Sequence, residues 1–516
     1  MKMLTRRRFL SSAAFTLAAT RLRPQSPGPV AVTLAIPPEA EGAAMPANFA
    51  GLSYEVHQLA DPQFFSAANT GLIAQFRALS PNGVLRLGGN TSEFEYWKPT
   101  PDSPEPEHPQ TRIVVGEPKP EYYAVTAEAV RNLADFLKAT GWSCLYGIGM
   151  GTNAPQRAAE EGEFAAKTLG PSLEYFQIGN EVDLFGRHLR DPQTWNAKTY
   201  LDEWLTLARA VSASVPGAKF GLPDVAANVD WLTEIADAWP AVANPPHVTT
   251  LTHHHYFGGP ATNPNVNIPN LLAPAEMARV QKAADTANAA AAKIGARVRM
   301  TEGNTCFRGG KPGVSDVFAS ALWAADYALL LAANGYTGIN LHGGTFSSIA
   351  KGLGGFLPGD VLLKDQGQTP EQIAAHPHPF YAPIASFGSE WVLEPVAYGL
   401  KFAGSLSGGT LVKADLTSPL QSAGVDATAY AAKLPDGRAA VAILNKDAEK
   451  DLEVTLDFGA GKAGHVRIET LHAPSLDSRE AHITPTSGNE RGHDRLKGGK
   501  CTVAVGHASA LMVTLA

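Results

Sequence analysis

Two glutamates occupy matching settings in the chain. Glu181 follows the largely apolar run Tyr175–Ile178 and a Gly-Asn pair, and Glu302 directly follows Val298–Thr301. Each run is typical of a short buried strand. The glutamates lie 121 positions apart, which three strand-plus-helix units of roughly 40 residues each would fill. Because a barrel gathers the carboxyl ends of its strands at one mouth, the spacing predicts that the two carboxylates converge there.

A converging pair of carboxyl groups can hydrolyse a glycosidic bond. In the retaining mechanism one carboxylate attacks the sugar and the other group, as an acid, protonates the leaving oxygen across roughly 5–5.5 Å. The acid stays protonated near neutral pH when burial and a negative neighbour raise its pKa. Asn180, directly before Glu181, offers an amide that could bond a sugar 2-hydroxyl. The alternative for Glu181 is a carboxylate that only caps a turn at a helix start.

The segments that would position these glutamates alternate between two patterns. From about residue 47, short apolar runs alternate with segments whose apolar residues recur at i, i+3 and i+4, as in half-buried helices. The predicted strands are Phe49–Tyr54, Val84–Leu87, Ser143–Ile148, Leu173–Ile178, Lys219–Leu222, Val248–His253, Val298–Thr301 and Gly338–Leu341. The predicted helices are Ala124–Thr140, Arg157–Leu169, Trp195–Ser214, Pro274–Ile294 and Val314–Ala333. Such alternation favours an α/β fold, a (β/α)8 barrel over residues 47–389, with Glu181 after strand four and Glu302 after strand seven.

The pattern changes near residue 390. Short alternating or β-branched runs are separated there by turn signals such as Pro435-Asp436-Gly437. Residues 390–516 therefore predict a C-terminal antiparallel β-sandwich domain, and the run Val30–Ile36 within 26–46 is expected to add a strand to it. The predicted strands are Leu411–Ala414, Ala427–Ala432, Ala439–Asn445, Leu452–Asp457, His465–Thr470 and Cys501–Val505. Two long Pro-, Gly- and Asn-rich loops, Gly258–Leu272 and Lys351–Pro379, are expected at the barrel mouth.

The N-terminal segment and the composition restrict where the protein acts and on what. Residues 1–25, with Thr5-Arg6-Arg7-Arg8-Phe9-Leu10 before an apolar stretch, resemble a twin-arginine signal, which predicts export to the periplasm or medium. The alternative is a basic amphipathic first helix. No later apolar run is long enough to span a bilayer. A formal net charge of −7 argues against nucleic acid and long polyanions as partners.

Several other motifs predict less. The three cysteines show no zinc spacing and exclude a small disulfide scaffold, although one bridge remains open. His253-His254-His255 could suggest a metal, since His253 and His255 share a strand face, but without a further ligand at recognisable spacing we expect hydrogen-bonding histidines and no metal. The glycine-rich run Gly147–Gly151 has no dinucleotide fingerprint, so no cofactor is predicted. No Gly-x-Ser-x-Gly sequence indicates a serine hydrolase.

Several motifs, taken in order, resemble one family of enzymes. Ile178-Gly179-Asn180-Glu181 and Thr301-Glu302 are similar to the acid/base and nucleophile signatures of retaining clan A glycoside hydrolases. The further stretches resemble glycoside hydrolase family 79, which contains β-glucuronidases and heparanases, and the similarity runs from about Phe49 to Ser405. These stretches are Leu85-Arg86-Leu87-Gly88-Gly89-Asn90, Thr252-His253-His254-His255-Tyr256 and Ser315-Asp316-Val317-Phe318-Ala319.

The resemblance implies roles for individual residues. Glu181 would be the acid/base, Glu302 the nucleophile, and Tyr256 would hold the nucleophile through its hydroxyl. Glu55 and Asn90 match positions that bond sugar hydroxyls in the family. Their alternative role is a structural polar network at the barrel mouth.

A second group of positions concerns the charged end of the sugar. Tyr381 resembles the family tyrosine that contacts the glucuronate carboxylate, and the alternative is a loop aromatic packed on the barrel rim. His342, in His342-Gly343-Gly344 after strand eight, is counted with the substrate-binding residues. Heparanases carry a different polar sequence there, which favours an exo-acting β-glucuronidase.

The sequence leaves three functions in competition. The favoured one is a retaining exo-β-glucuronidase that binds a carbohydrate with a terminal β-glucuronate. The runner-up is a heparanase-like endo-enzyme or another retaining clan A glycosidase such as an arabinofuranosidase. An endo-enzyme for sulfated chains should line its cleft with basic residues, and Arg308 and Lys311 are the most obvious candidates near the mouth. A non-catalytic carbohydrate-binding barrel is the rival from another class, and the aglycone and oligomeric state stay open.

Overall fold

The computed structural model describes residues 28–37, 41–108, 121–226, 228–351, 357–376, 378–460, 462, 464–486 and 496–515. The predicted signal segment, residues 1–25, lies outside the described residues. Among the residues that the structure describes, no helix combines the length and the apolar character needed to cross a membrane.

The chain forms two kinds of region, a helix-and-strand region followed by a strand-rich one. The strands are β1 Val30–Ala35, β2 Ala50–Glu55, β3 Val84–Gly88, β4 Glu95–Lys98, β5 Tyr123–Thr126, β6 Ser143–Ile148, β7 Leu173–Ile178, β8 Lys219–Val225, β9 His247–Gly258, β10 Arg297–Cys306, β11 Ile339–Gly343, β12 Ile384–Phe387, β13 Glu390–Leu393, β14 Thr410–Leu411, β15 Ala427–Lys433, β16 Ala439–Asn445, β17 Leu452–Asp457, β18 Val466–His472, β19 His482–Thr486, β20 Lys500–Val505 and β21 Ser509–Leu515. The helices are α1 Thr70–Leu79, α2 Ala127–Thr140, α3 Pro155–Leu169, α4 Ala197–Ser214, α5 Asp230–Ala238, α6 Ile268–Leu272, α7 Pro274–Ile294, α8 Phe318–Ala333, α9 Phe346–Lys351, α10 Pro358–Asp365, α11 Pro370–Ala374, α12 Pro395–Gly404 and α13 Ser418–Ser422.

Eight parallel strands close into a barrel in the order β2-β3-β6-β7-β8-β9-β10-β11. The helices between them present an apolar face to the strands, as in α2, whose start is capped by the Thr126 side chain and whose end turns at Gly141 with φ 81°. The predicted barrel and its eight strands are confirmed. Barrels of this kind place the carboxyl ends of all eight strands around one mouth.

Several barrel strands extend further than the sequence predicted, β9 and β10 by the most. β9 continues to Gly258 and β10 to Cys306, and the pairing register of β10 shifts between Met300 and Glu302. Glu302 therefore lies within its strand, so the prediction that it follows strand seven is wrong. The irregular register re-aims the side chain into the barrel mouth, a common use of bulges beside active sites.

The two predicted long loops contain helices. The first includes α6 and the second includes α10 and α11. The first loop is joined to the segment after β10, because the Lys311 ammonium donates to the main-chain oxygens of Asn263 at 3.2 Å and Val266 at 2.7 Å. Lys311 thus holds two mouth segments together.

The C-terminal region consists of two sheets facing each other across an apolar core. One sheet has the order β14-β15-β16-β21-β18-β19, and the other has the order β1-β17-β20. β1 pairs with β17 in parallel, whereas the other described strand pairs of these two sheets are antiparallel. The helix α12 packs against α8. Asp326 of α8 forms an ion pair with Lys446 of the sheet region, with 2.8 Å between Oδ2 and Nζ.

Candidate active site

Glu181 and Glu302 meet at the barrel mouth, as the sequence predicted. One oxygen of each carboxyl group and one ring nitrogen of His254 lie within 4.8 Å of one another. Glu181 stands in a tight turn after β7, with φ 47°, and its N–H donates to the main-chain oxygen of Asp224 at 2.8 Å. One oxygen of each carboxyl group therefore lies within 4.8 Å of the other, which is close to the roughly 5–5.5 Å typical of carboxyl pairs that act by double displacement.

The surroundings of Glu302 favour the ionised form. Tyr256 donates its hydroxyl to Oε1 at 2.9 Å, and Arg86 donates to Oε2 at 2.5 Å. Nδ1 of His342 lies 3.7 Å from Oε2. Burial alone would raise the pKa of Glu302, but the charges of His342, His254 and Arg86 outweigh it and lower the pKa to about 2.

The surroundings of Glu181 favour the protonated form. Burial raises the pKa of Glu181 above its ordinary value, the charge of Glu302 raises it further, and the nearby His254 only partly offsets these effects. Nδ1 of His254 lies 3.2 Å from Oε1 of Glu181. The side chain of Glu181 is 16% exposed against 7% for Glu302. The more accessible carboxyl is therefore the one suited to give a proton to a leaving group.

A charged network that the sequence prediction missed lies beneath the pair. Arg86, fully buried in β3, donates to Glu302, to Asp224 and to the amide oxygen of Asn180, the last at 2.6 Å. Asp224 also lies 3.2 Å from Nε2 of His254. Asp224 and Glu302 raise the pKa of His254 to about 10 despite its burial. An arginine between two apolar residues of a strand was the available sequence signal for this buried charge.

The predicted asparagines form one side of the mouth. The amide oxygen of Asn180 accepts from Arg86 and from the Gly89 N–H at 3.1 Å, and its Nδ2 lies 3.4 Å from the side-chain oxygen of Asn90. Glu93 anchors this turn from below, since its carboxylate accepts the Asn180 N–H at 2.7 Å. Glu93 also accepts two further main-chain N–H groups, so it fixes the turn that carries Glu181. The sequence prediction did not single out Glu93.

The remaining predicted residues line the same mouth, with Glu55 next to the turn that carries Asn90. Glu55 accepts the hydroxyl of Thr91 at 2.6 Å, and its other oxygen lies 3.6 Å from Nε2 of His342. The Tyr381 ring lies 5.9 Å from the His342 ring and 6.4 Å from the Tyr256 ring. The structure therefore brings Glu55, His342 and Tyr381 to the same mouth as the two catalytic candidates. Burial and the charges of Glu302 and Glu55 raise the pKa of Tyr381, so its phenol stays neutral.

The three consecutive histidines have separate partners. Nε2 of His253 lies 2.8 Å from the hydroxyl of Tyr336, and Nε2 of His255 lies 2.8 Å from Glu276. His254 is the member of the triplet that reaches the catalytic pair. Glu181, His254 and Glu302 are close enough together to hold an ion, but both ring nitrogens of His254 already face carboxylates, those of Glu181 and Asp224.

Comparison with known proteins gives relatives at low identity. No family model matches the chain. A β-glucuronidase of Aspergillus niger is 24% identical over 309 residues, 56% of this chain and 55% of that protein. A β-glucuronidase of Neurospora crassa is 25% identical over 294 residues, 51% of this chain and 50% of that protein. This chain is a distant homologue of fungal β-glucuronidases. The match spans about half the length of these relatives.

Solved structures share the fold of this chain over almost its whole length. A 4-O-α-L-rhamnosyl-β-D-glucuronidase of Fusarium oxysporum superposes with a TM-score of 0.68 at 18% identity, covering 94% of this chain and 100% of that one. A family 51 arabinofuranosidase of Xanthomonas axonopodis superposes with a TM-score of 0.63 at 15% identity, covering 94% and 99%. At these identities the likeness shows the shared architecture.

Proposed function

We propose that this β-glucuronidase homologue is a retaining exo-β-glucuronidase that releases a terminal β-glucuronate from a glycan or glucuronide. The observation that carries the proposal is the carboxyl pair within 4.8 Å, with the pKa lowered at Glu302 and raised at Glu181. Opposite protonation states at that separation are what double displacement requires. The names of the fungal relatives support glucuronate as the sugar.

In the first step Glu302 attacks the anomeric carbon while Glu181 gives its proton to the leaving oxygen. The covalent bond removes the charge of Glu302, which lowers the pKa of Glu181, because a like charge beside it has disappeared. Glu181 then takes a proton from water, which attacks the same carbon and releases the sugar with its original configuration. His254 stabilises the ionised state of Glu181 between the two steps, because its charged ring lies 3.2 Å away.

The glucuronate carboxylate is assigned to Tyr381 and the main chain beside it. Gly309 and Gly310 both have φ 91°, and a Cβ at Gly310 would come within 2.6 Å of the Tyr381 nitrogen. This close packing places the main chain of Gly310 against that of Tyr381, and the main chain of Gly309 acts on the Tyr381 phenol and lowers its pKa. A phenol and successive N–H groups can hold an anion without a full opposing charge.

Exo action is supported by the contacts of Lys311, one of the two basic residues singled out near the mouth. Lys311 donates to two main-chain oxygens of the loop after β9, so it serves as a loop clamp and does not face a cleft for a sulfated chain. An endo-enzyme acting on such a chain would need cations along an open groove.

The test is hydrolysis of p-nitrophenyl β-glucuronide, compared with the β-glucoside and the α-L-arabinofuranoside. We expect the glucuronide to be cleaved far faster than either other substrate, and Glu302→Gln to abolish cleavage. Glu276→Gln is the matched control, because it changes a buried carboxylate that pairs with His255 outside the site. Equal rates on glucuronide and glucoside would refute the sugar assignment, and an unchanged rate in Glu302→Gln would refute the nucleophile.

A further inference from the structure

Asp224 lies at the end of β8, and its side chain contacts both halves of the charged network. The side chain is fully buried. Oδ2 accepts a hydrogen bond from Arg86 and lies 3.2 Å from Nε2 of His254. Oδ1 accepts the hydroxyl of Thr301, the residue before Glu302. One carboxylate is thus paired with the two cations beside Glu181 and Glu302 and hydrogen-bonded to the strand that carries Glu302.

These partners lead directly to the two catalytic carboxyl groups. Arg86 donates a hydrogen bond from its other terminal nitrogen to Oε2 of Glu302 at 2.5 Å. Nδ1 of His254 lies 3.2 Å from Oε1 of Glu181. The main-chain oxygen of Asp224 also accepts the N–H of Glu181 at 2.8 Å. Asp224 itself has φ 63°, a backbone conformation that residues other than glycine rarely adopt and that concentrates at functional sites. Its main chain and its side chain therefore both fix the pair.

We propose that Asp224 is a positioning residue that holds Arg86 and His254 as oriented cations and, through them, sets the spacing and charge of Glu181 and Glu302. The proposal rests on the retaining hydrolase activity proposed above, but not on the choice of sugar. The Asp224 side chain is fully buried beneath the pair, so it is closed off from a sugar bound at the mouth. The titratable groups that act on it or feel its charge are Arg86, His254, His253, Tyr175 and Tyr200.

The direction in which Asp224 changes the pKa of Glu181 follows from the arrangement of the charges around it. Asp224 offsets two cations that face the carboxyl groups. Without its charge, Arg86 and His254 attract the ionised carboxylates unopposed, so the pKa of Glu181 falls. His254 stays charged across the acid range in that case, because the anionic Glu302 remains beside it. Removal of His254 has the opposite effect and raises the pKa of Glu181.

The experiment compares Asp224→Asn with His254→Gln by kcat, KM and the pH profile of kcat/KM on an alkyl glycoside, whose leaving oxygen must be protonated by Glu181. For Asp224→Asn we expect kcat to fall by about 100-fold, the cost of displacing a reacting group by about 1 Å, with KM changed less than about threefold. The alkaline limb of the pH profile of kcat/KM should move to lower pH in Asp224→Asn and to higher pH in His254→Gln. In the control Glu276→Gln, whose carboxylate also pairs with one histidine and one arginine, His255 and Arg279, both limbs should stay in place.

Two further measurements keep the proposal testable if Asp224→Asn does not fold or the enzyme lacks the proposed activity. Thr301→Val removes one donor to Asp224 and should lower kcat by about fivefold without changing KM. In ¹⁵N-histidine spectra, which need no activity, His254 should lose its proton at lower pH in Asp224→Asn than in the unchanged protein. A uniform rate loss with unmoved limbs, or equal titration of His254 in both proteins, would overturn the proposal. An inactive unchanged protein would overturn only the proposed function.

Discussion

Removal of the Tyr256 hydroxyl isolates the best-defined contact of the nucleophile. Tyr256→Phe keeps the ring, which packs 6.2 Å from Phe307 and 6.4 Å from Tyr381, and deletes the 2.9 Å hydrogen bond to Glu302. Hydrogen bonds to charged groups contribute about 1.5–3 kcal/mol. If that amount is lost from the transition state, kcat/KM falls by about 10- to 160-fold.

The same change has a defined effect on pH dependence. The hydrogen bond from Tyr256 lowers the pKa of Glu302, so its loss raises that pKa. Because the nucleophile must be ionised, the acidic limb of the pH profile should move to higher pH. The assay is kcat/KM on the chromogenic glucuronide at a series of pH values. Tyr336→Phe is the control, since its hydroxyl bonds His253 outside the site. A loss below about twofold with an unmoved acidic limb would refute the reasoning.

Three further outcomes are expected from substitutions elsewhere. Glu181→Gln should slow alkyl glucuronides far more than p-nitrophenyl glucuronide, whose leaving group needs no proton, and azide should restore the latter rate; equal losses would contradict the acid/base role. Tyr381→Phe should reduce the glucuronide-to-glucoside preference in kcat/KM by about tenfold, whereas an unchanged preference would contradict carboxylate binding. Lys446→Met should cost about 3–5 kcal/mol in urea unfolding, because Asp326 is left buried and unpaired, whereas Lys500→Met, at an exposed pair, should cost below about 1 kcal/mol.

The barrel was predictable because its strands are short apolar runs with helices of regular period between them. The sequence pattern located all eight strands, and two of them, Ser143–Ile148 and Leu173–Ile178, with identical bounds. It failed most at the ends of β9 and β10, where polar residues such as His254, Glu302 and Asn304 continue the strand and mimic a loop. β21 was missed for a related reason. It lies between β16 and β18 and is buried along most of its length, so its sequence shows no alternation.

The two catalytic candidates were predictable because acidic residues after buried strands stand out. The supporting charges were not, since Arg86 and Asp224 are fully buried ions that only a folded network stabilises. The same holds for Glu93, whose role depends on three main-chain N–H groups brought together by folding. No periodicity in the sequence encodes those contacts.

The most direct test of the account is to trap the covalent intermediate and to follow the anomeric product. With a 2-deoxy-2-fluoro β-glucuronide carrying an activated leaving group, we expect a stable adduct that peptide mass spectrometry places on Glu302, and NMR of ordinary turnover should show β-glucuronate as the first product. An α-configured first product, or an adduct on any residue other than Glu302, would contradict double displacement by Glu181 and Glu302.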